Sequence, residues 1–359
     1  MGHKSIYIDR APGRFIDVEG EEFLFFAGAS YLGLHLHPSL QSLFVRYLAK
    51  LGANVGTSRM NNIRFGIYDE GESFFAQQFE FEGSLLFSSG FLASRSAVDI
   101  SVEQADKVYC SPFIHPSLVP SGNPMNKKVV QSSAGSIPEW IEEINREVAG
   151  KDIDRLLLIS NTVDNLYPQQ FDFSSLNKLH ANKQITLILD DSHGIGLLNK
   201  GKVSLRKHSL PTNVELVVVA SLAKVFCIDA GLVLASESVI NKIRSSANFI
   251  GASPPSPAGI ASLLEGWKYY EENWGQLQSN LLLLNRYAES EKIKMLSNMP
   301  VLTAMKGQWY EMFYKNKMII SSFPYPYSHS ESLDRVIVSA LHKEEDIIKL
   351  MELLNQASF

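Results

Sequence analysis

Short apolar runs alternate with polar and helical segments through the middle of the chain, from about residue 84 to residue 235. The runs are rich in Val, Ile and Leu and are bounded by polar residues, which is typical of buried strands. Repeated alternation of strand and helix predicts an α/β domain with a mostly parallel central sheet. The predicted strands span residues 84–87, 107–109, 156–160, 185–189, 216–220 and 232–235.

The chain on either side of this domain follows other patterns. Before it, an apolar stretch predicts a strand, and His37-Pro38 begins a helical pattern with apolar residues on one face. After it, a proline-rich break precedes a helix, a strand and an amphipathic helix. The chain is predicted to divide into an N-terminal arm (1–45), a large cofactor-binding domain (46–258) and a small C-terminal α+β domain (259–359). The flanking elements are predicted at 22–27, 258–272, 335–338 and 344–354.

Composition and charge narrow the functional classes without deciding among them. The 359 residues are 45% hydrophobic and 20% charged, as in an ordinary globular protein large enough for two domains. A formal net charge of -5 gives no case for a nucleic-acid partner, and no apolar run is long enough to cross a membrane. Two cysteines argue against a disulfide scaffold, and residues 1–10 lack the apolar core of a signal peptide. We therefore expect a cytoplasmic enzyme.

Chemically useful side chains follow two of the predicted strands. Asp190 and His193 follow the strand at 185–189, and Ser221 and Lys224 follow the next one. In an open parallel sheet, ligands bind outside the carboxyl ends of the strands, so we expect these side chains to meet there. The combination indicates pyridoxal phosphate, which is held as a Schiff base on lysine with an acid beside its pyridine nitrogen. No metal is predicted at the site.

Each of these residues also has an ordinary structural interpretation. Lys224 alone is a surface lysine past a strand end, Asp190 a turn or helix-capping residue, and His193 a structural hydrogen-bonding group. Adjacent carboxylates after five apolar residues are less usual, because burying charge is costly without a partner. Taken together, the two segments favour the catalytic interpretation, in which burial makes the lysine a better nucleophile.

A candidate anion site follows the first of the central strands. Ser89-Gly90-Phe91 begins a helical run over 92–100, and a glycine at a helix N-terminus exposes backbone N–H groups to an anion. Ser221 is placed to add a hydroxyl to the same phosphate. The alternative is a plain helix start. His115, after the strand at 107–109, is expected either to stack on an aromatic ring or to have a structural role.

The order of these motifs resembles that of the α-oxoamine synthases, which are fold-type-I pyridoxal-phosphate enzymes. The chain has Ser-Gly-Phe, His-x-Ser-Leu, Asp-Asp-Ser-His-Gly-x-Gly and Ser-x-x-Lys in that order. Tyr31-Leu32-Gly33-Leu34 and Gly56-Thr57-Ser58-Arg59 match two further motifs, and the resemblance covers nearly the whole chain. It implies a fold-type-I transferase, bound pyridoxal 5'-phosphate, and a homodimer with the active site at the interface.

Carried onto this sequence, the resemblance assigns a role to each candidate residue. Lys224 would form the Schiff base, and Asp190 would pair with the pyridine nitrogen. Arg335 would bind the amino-acid carboxylate, which a guanidinium matches with two parallel hydrogen bonds. The remaining residues would contact the cofactor: His115 at the ring face, His193 and Asn165 at the phenolic oxygen, and Ser89, Gly90, Phe91 and Ser221 at the phosphate.

Several residues depart from the family's pattern. Ala29 stands where the family has an asparagine that contacts the substrate, and Asn62-Ile63 replaces a serine-glycine pair. The hydroxyl that reaches the partner subunit's phosphate is missing or shifted to Ser253. Cys227 and Ala230 replace glycines after the lysine. These departures bear on substrate fit and the dimer interface rather than on the cofactor.

The resemblance also implies a reaction. Members of the family condense a small amino acid with an acyl thioester, lose carbon dioxide and release an amino ketone; the most similar members are the 8-amino-7-oxononanoate synthases of biotin synthesis. The thioester carrier, coenzyme A or an acyl-carrier protein, is left open. So are another acyl donor, an aminotransferase-type reaction and a cofactor-binding pseudoenzyme, given the altered contacts at Ala29 and Asn62-Ile63.

Overall fold

The computed structural model describes residues 5–112, 114–120, 128–164, 168–179, 181–287, 293–296, 298–304, 309–324 and 330–356. Strands and helices alternate through these ranges. The strands are β1 Phe15–Val18, β2 Glu21–Phe26, β3 Gly83–Phe87, β4 Lys107–Cys110, β5 Val129–Gln131, β6 Arg155–Asn161, β7 Gln184–Asp190, β8 Val214–Ser221, β9 Gly231–Ala235, β10 Ile293–Met295, β11 Val301–Ala304, β12 Met318–Pro324 and β13 Ser332–Ile337. The helices are α1 Pro38–Leu51, α2 Gly66–Phe79, α3 Gly90–Gln104, α4 Ile137–Val148, α5 Leu198–Gly201, α6 Glu237–Arg244, α7 Ala247–Gly251, α8 Pro257–Glu265, α9 Trp267–Tyr287, α10 Tyr310–Lys315 and α11 Glu344–Gln356.

The larger sheet contains the strands that the apolar runs predict. Its order is β3-β9-β8-β7-β6-β4-β5, and neighbouring strands are parallel except where β9 pairs with β3 and β8. In β6, Leu156 and Leu158 enter one core while Leu157 and Ile159 enter another. Because both faces are buried, such strands form continuous apolar runs in the sequence. The predicted α/β class with a mostly parallel central sheet is confirmed.

A second sheet joins the two ends of the chain. Its order is β1-β2-β12-β13-β11-β10, with β2 and β12 parallel and the other pairs antiparallel. Leu24 of β2 lies opposite Met318 of β12, although these residues are close to opposite ends of the chain. The division of the chain at residues 45 and 258 stays a prediction. The sheet itself takes strands from the first and the third of those segments.

One predicted helix is wrong in its bounds. The pattern over 258–272 predicts a single helix, but the structure has α8 and α9 with Gly266 between them. A Cβ at Gly266 would lie 2.3 Å from Leu40 Cδ2 of α1 and 2.8 Å from the Ser262 carbonyl oxygen, so the close approach to α1 requires glycine at the break. None of the helices in the described ranges combines the length and apolar character that crossing a bilayer requires.

Candidate active site

Two neighbouring strands of the larger sheet end where the candidate residues lie. β7 and β8 run parallel, Asp190 is the last residue of β7, and Ser221 is the last residue of β8. The Ser192 N–H donates to Asp190 Oδ1 at 2.9 Å, and the Ser221 N–H donates to Ser192 Oγ at 2.8 Å. These hydrogen bonds tie the two strand ends together at one edge of the sheet.

The Lys224 amine is partly buried beyond the end of β8. Burial lowers the pKa of Lys224 from its ordinary value; the Asp190 carboxylate opposes this shift, and the Arg335 guanidinium adds to it. The amine therefore lies within electrostatic reach of both groups. The structure thus brings Lys224 and Asp190 together, as their positions after adjacent parallel strands predict.

Tyr31 links His193 to Arg335. The Tyr31 hydroxyl lies 2.7 Å from His193 Nδ1, and its oxygen accepts a hydrogen bond from the Arg335 guanidinium. Because a guanidinium can only donate, the tyrosine hydroxyl can give its own hydrogen to Nδ1; in that arrangement the ring hydrogen of His193 is on Nε2. Burial lowers the pKa of His193 well below its ordinary value, and the charges of Lys224 and Arg335 lower it further. His193 is thus a neutral hydrogen-bond donor.

Arg335 reaches the site from the second sheet. It lies on β13, where it pairs with Thr303 of β11 and Ser321 of β12. Its Nε is buried and has no hydrogen-bond partner among the described residues. Leaving a charged donor buried and unsatisfied is costly, so this nitrogen is suited to an acceptor brought in by a ligand, such as a carboxylate.

His115 lies near the same acid and amine, after β4. Burial lowers the pKa of His115, while the Asp190 carboxylate raises it and the Lys224 amine lowers it. The ring Nδ1 accepts a hydrogen bond from the Ser117 N–H at 3.2 Å, and the His115 backbone N–H donates to Asn161 Oδ1 at 3.3 Å. These contacts fix the position of the imidazole ring. Its stacking on the cofactor stays a prediction.

The N-terminus of α3 packs directly on the end of β8. Ser89 caps this helix, and its Oγ accepts a hydrogen bond from the Leu92 N–H at 3.2 Å. A Cβ at Gly90 would lie 2.6 Å from Ser221 Cβ, and a Cβ at Gly231 would lie 2.0 Å from the Ser89 carbonyl oxygen. Glycine at both positions brings the N–H groups of the first helical turn beside Ser221. Such a helix start fits a phosphate group.

The second acid, Asp191, is not part of this group. It is fully buried, and its carboxylate accepts hydrogen bonds from Thr162 Oγ1, Ser204 Oγ and the Ser204 N–H. Burial raises the pKa of Asp191 to about 7, although these hydrogen bonds oppose the shift. The two adjacent acids therefore have different surroundings: Asp190 interacts with the lysine, whereas Asp191 anchors the turn in the core.

Three further residues complete the comparison with the sequence. Phe91 is 58% exposed, so α3 offers its backbone N–H rather than a buried ring. Asn165 lies outside the described residues. Sequence reasoning missed Tyr31 as a site residue, because no local pattern connects it to Lys224; only a family motif marks it.

The assembled residues fit pyridoxal phosphate. Lys224 supplies an amine with a lowered pKa, Asp190 a carboxylate beside it, and Gly90 with Ser221 a close-packed anion site at a helix start. Arg335 adds its buried Nε, a donor that has no acceptor among the described residues. When bound, the cofactor supplies an electron-withdrawing ring that stabilises negative charge on the Cα of an amino acid.

Comparison with protein families assigns the chain to one of them. The model of the aminotransferase class I and II family matches residues 67–354. The match covers most of the chain. The chain belongs to that family.

The chain is also similar to individual curated proteins and solved structures. It is 24% identical over 360 residues to a putative 8-amino-7-oxononanoate synthase of Rippkaea orientalis, covering 97% of this chain and 93% of the relative. It is 25% identical over 373 residues to the 8-amino-7-oxononanoate synthase of Nitrosospira multiformis, covering 97% and 91%. A serine palmitoyltransferase variant from S. paucimobilis, solved with a bound PLP–myriocin aldimine, has a TM-score of 0.82 at 16% identity, covering 97% and 91%. The 8-amino-7-oxononanoate synthase of Francisella tularensis has a TM-score of 0.69 at 18% identity, covering 93% and 97%.

These similarities agree with the geometry of the site. The fold is that of the fold-type-I transferases. The protein is a pyridoxal-phosphate-dependent enzyme of the α-oxoamine synthase type. The resemblance inferred from the order of the sequence motifs is confirmed.

Proposed function

We propose that this enzyme condenses a small amino acid with an acyl thioester, releases carbon dioxide and forms an amino ketone, in the manner of an 8-amino-7-oxononanoate synthase. The observation that carries the proposal is the convergence of three groups. The Lys224 amine and the Asp190 carboxylate suit the cofactor, and the buried Nε of Arg335 suits the carboxylate of an amino acid.

Lys224 is the proposed base. Because burial lowers the pKa of its amine, a larger fraction is neutral near pH 7 than for an exposed lysine. A neutral Nζ accepts the proton from the Cα of the amino acid. Asp190 holds the proton on the pyridine nitrogen, since a carboxylate beside that atom favours its charged form.

Arg335, Tyr31 and His193 are proposed to position the substrate and the ring. Arg335 binds the amino-acid carboxylate, and the hydrogen bond to Tyr31 fixes the direction of its guanidinium. Tyr31 also directs the Nε2 hydrogen of His193 to the phenolic oxygen of the cofactor, because it occupies Nδ1. His115 is proposed to stack on the ring, and Ser89, Gly90, Phe91 and Ser221 to hold the phosphate.

We propose that the enzyme is a homodimer whose subunits meet over residues 55–63. Val55, Met60 and Ile63 of this segment are 48%, 45% and 78% exposed, and they line an apolar cavity of about 380 Å³. Clustered exposed apolar side chains mark interaction surfaces, and a second copy would cover them. Ile63→Glu is expected to convert the dimer to a monomer in light scattering. A wild-type protein that is monomeric at micromolar concentration would contradict the proposal.

Cofactor binding is tested by absorbance. The purified protein incubated with pyridoxal phosphate is expected to absorb visible light, and Lys224→Ala to lose this absorbance because the covalent link needs the amine. Lys50→Ala, at the exposed end of α1, is the matched control and is expected to keep it. A colourless wild type would overturn the proposal.

The reaction is tested with a panel of substrates. Alanine, glycine and serine are each combined with acyl-CoA and acyl-carrier-protein donors of several chain lengths, and free thiol and product mass are measured. We expect repeated thiol release that requires an amino acid, together with the mass of an amino ketone. Formation of a 2-oxo acid from the amino acid, without thiol release, would instead indicate transamination.

A further inference from the structure

Two turns of the chain adjoin the hydrogen bond between Arg335 and Tyr31. The N-terminal turn, residues 31–33, contains Tyr31 itself. The C-terminal turn, residues 339–342, begins two residues after the end of β13, the strand on which Arg335 lies. Because the Tyr31 oxygen accepts from the Arg335 guanidinium, the placement of the two turns bears on the direction of that guanidinium.

The two turns pack directly against each other. The Ala340 N–H donates to the Tyr31 carbonyl oxygen at 2.9 Å. A Cβ at Gly33 would lie 2.4 Å from Leu341 Cγ, and the φ of Gly33 is 62°, a value that glycine adopts freely. Glycine at this position lets the Leu341 side chain lie on the backbone of the N-terminal turn. The two turns therefore form one unit, and a shift of either is transmitted to the other.

Asn280 of α9 holds the C-terminal turn. Its Nδ2 donates to the Ser339 and His342 carbonyl oxygens, both at 2.9 Å, and its Oδ1 accepts from Gln276 Nε2 at 3.1 Å. Because carbonyl oxygens only accept, these contacts require the amide nitrogen to face the turn. Both hydrogens of that nitrogen are used on this one turn.

Asn273 holds the N-terminal turn from the same helix. Its Nδ2 donates to the Leu32 carbonyl oxygen at 2.8 Å. Asn273 and Asn280 are seven residues apart, which is close to two helical turns, so they lie on one face of α9 about 10 Å apart. One helix thus binds the two turns at a fixed spacing.

The packing of α9 would favour an apolar residue at position 280. Asn280 is 1% exposed, and the neighbouring Leu277, Leu281 and Leu284 are core residues. Burying an amide there costs free energy unless its hydrogen bonds are made, and an apolar residue would avoid that cost. A buried polar group whose hydrogen bonds are made favours one arrangement of the surrounding backbone. Asn280 therefore specifies where the C-terminal turn lies.

We propose that Asn280 and Asn273 are positioning residues for the amino-acid substrate. They hold the two turns so that Tyr31 and Arg335 meet, and they thereby direct the guanidinium at the substrate carboxylate. The inference rests on the proposed function for the role of Arg335 in binding that carboxylate. The asparagines are expected to affect binding of the amino acid and not binding of the cofactor, whose groups lie at the ends of β7 and β8.

The test measures the affinity of the cofactor-loaded enzyme for an amino acid, without any acyl thioester. Alanine, glycine and serine are titrated, and the change in cofactor absorbance gives Kd. Asn280→Leu fills similar space without donors, and its Kd is expected to rise on the order of 10-fold, roughly the effect of one lost hydrogen bond. Its cofactor absorbance before the titration is expected to match that of the wild type. An unchanged Kd would overturn the inference.

Asn273→Ala is a second variant, at a half-buried position where removal of a side chain disturbs folding less. It removes the donor to the Leu32 carbonyl oxygen and is expected to raise Kd. Asn273→Gln keeps the NH₂ group and is expected to bind the amino acid more tightly than Asn273→Ala does. A wild-type Kd in Asn273→Ala would overturn the role of this residue.

Two controls separate positioning from a general loss of stability. Tyr270→Phe removes a buried donor of α9, whose hydroxyl donates to the Gly196 carbonyl oxygen at 2.8 Å in the segment after β7. Asn213→Ala removes a half-buried amide that donates to the Lys183 carbonyl oxygen at 2.9 Å, where β7 and β8 begin. Both are expected to lower the free energy of unfolding in chemical denaturation and to keep the wild-type Kd. A rise in Kd equal to that of the two asparagine variants would overturn the inference.

A double-mutant cycle identifies the contact through which Asn280 acts. Tyr31→Phe removes the acceptor for the Arg335 guanidinium. If Asn280 acts through that hydrogen bond, its loss costs little where the hydrogen bond is already absent. The double variant Asn280→Leu/Tyr31→Phe is therefore expected to have a Kd close to that of the weaker-binding single variant. A Kd raised by the product of the two single effects would indicate a structural role alone and overturn the inference.

The inference and the proposed function fail in different ways. Amino-ketone formation by the wild type, with Kd unchanged in Asn280→Leu, overturns the positioning role and leaves the function in place. A raised Kd in both asparagine variants, with no thiol release from any acyl donor in the wild type, overturns the proposed function and supports the positioning role.

Discussion

The candidate active site has two sides that come from different parts of the chain. The strand-end side consists of Asp190, Ser221 and Lys224, which follow two adjacent parallel strands. The remote side consists of Tyr31 and Arg335, which lie far apart in sequence and meet through packing of the chain ends. The strand-end side holds groups suited to the cofactor, and the remote side holds groups suited to the substrate. Local sequence therefore specifies the candidate cofactor contacts, whereas the candidate substrate contacts depend on tertiary structure.

Two of the departures from the family's pattern, Ala29 and Cys227, lie next to the remote side. Ala29 and Ser30 directly precede Tyr31, and Cys227 contacts Ser30. The strand-end side keeps its acid, hydroxyl and lysine. If the two sides differ in this way, substitutions on the strand-end side are expected to abolish chemistry, and those on the remote side to change substrate binding.

The largest effect is expected for Asp190→Asn. Asp190 is proposed to hold the proton on the pyridine nitrogen of the cofactor, so removing its carboxylate is expected to lower kcat by about 10³-fold, a typical loss for a preorganised electrostatic group. Steady-state thiol release measures this, and the absorbance titration reports cofactor binding. A kcat within tenfold of the wild-type value would contradict the role proposed for Asp190.

Asp191→Asn tests whether the neighbouring acid belongs to the core instead. The folded-state pKa of Asp191 is raised from 3.8 to about 7, so its neutral form is favoured in the folded protein. Between these values the unfolded chain binds fewer protons, and wild-type stability falls as pH rises, by roughly 4 kcal/mol in all. Asparagine cannot ionise, and its oxygen can still accept from the Ser204 N–H. The variant is expected to lose this pH dependence.

Chemical denaturation at pH 4 and pH 8 measures the difference. The free energy of unfolding of Asp191→Asn, relative to that of the wild type, is expected to increase as pH rises. Its kcat is expected to be unchanged. A variant that loses activity as Asp190→Asn does would place both acids in the active site.

The contrast between the two sides also explains how far the sequence predicts the structure. Asp190 and Lys224 are predictable because strands buried on both faces form continuous apolar runs, and parallel pairing brings their ends together. The different surroundings of Asp190 and Asp191 depend on the distant Thr162 and Ser204, so no local pattern reveals them. The break at Gly266 likewise depends on α1, which packs against it.

Arg335→Lys tests the remote side directly. Lysine keeps the positive charge but loses the planar pair of donors that matches a carboxylate, so KM for the amino acid is expected to rise on the order of 100-fold. The cofactor absorbance is expected to be unchanged. Arg286→Lys, at an exposed position late in α9, is the matched control. A loss in kcat with KM unchanged would indicate that Arg335 acts in the chemical step on the cofactor and not in substrate binding.

The smallest effect is expected for Tyr31→Phe, which tests the link between the two sides. The variant leaves the Arg335 guanidinium without this acceptor and His193 Nδ1 without its donor, so kcat/KM is expected to fall on the order of 10-fold. Because both partners are affected, KM should rise and kcat should fall, while cofactor absorbance is retained. The matched control is Tyr270→Phe, which removes a buried hydroxyl that donates to the Gly196 carbonyl oxygen at 2.8 Å. Tyr270→Phe is expected to lower stability without changing kcat or KM. The same behaviour in Tyr31→Phe would mean that Tyr31 is a packing residue and that it does not connect the two sides.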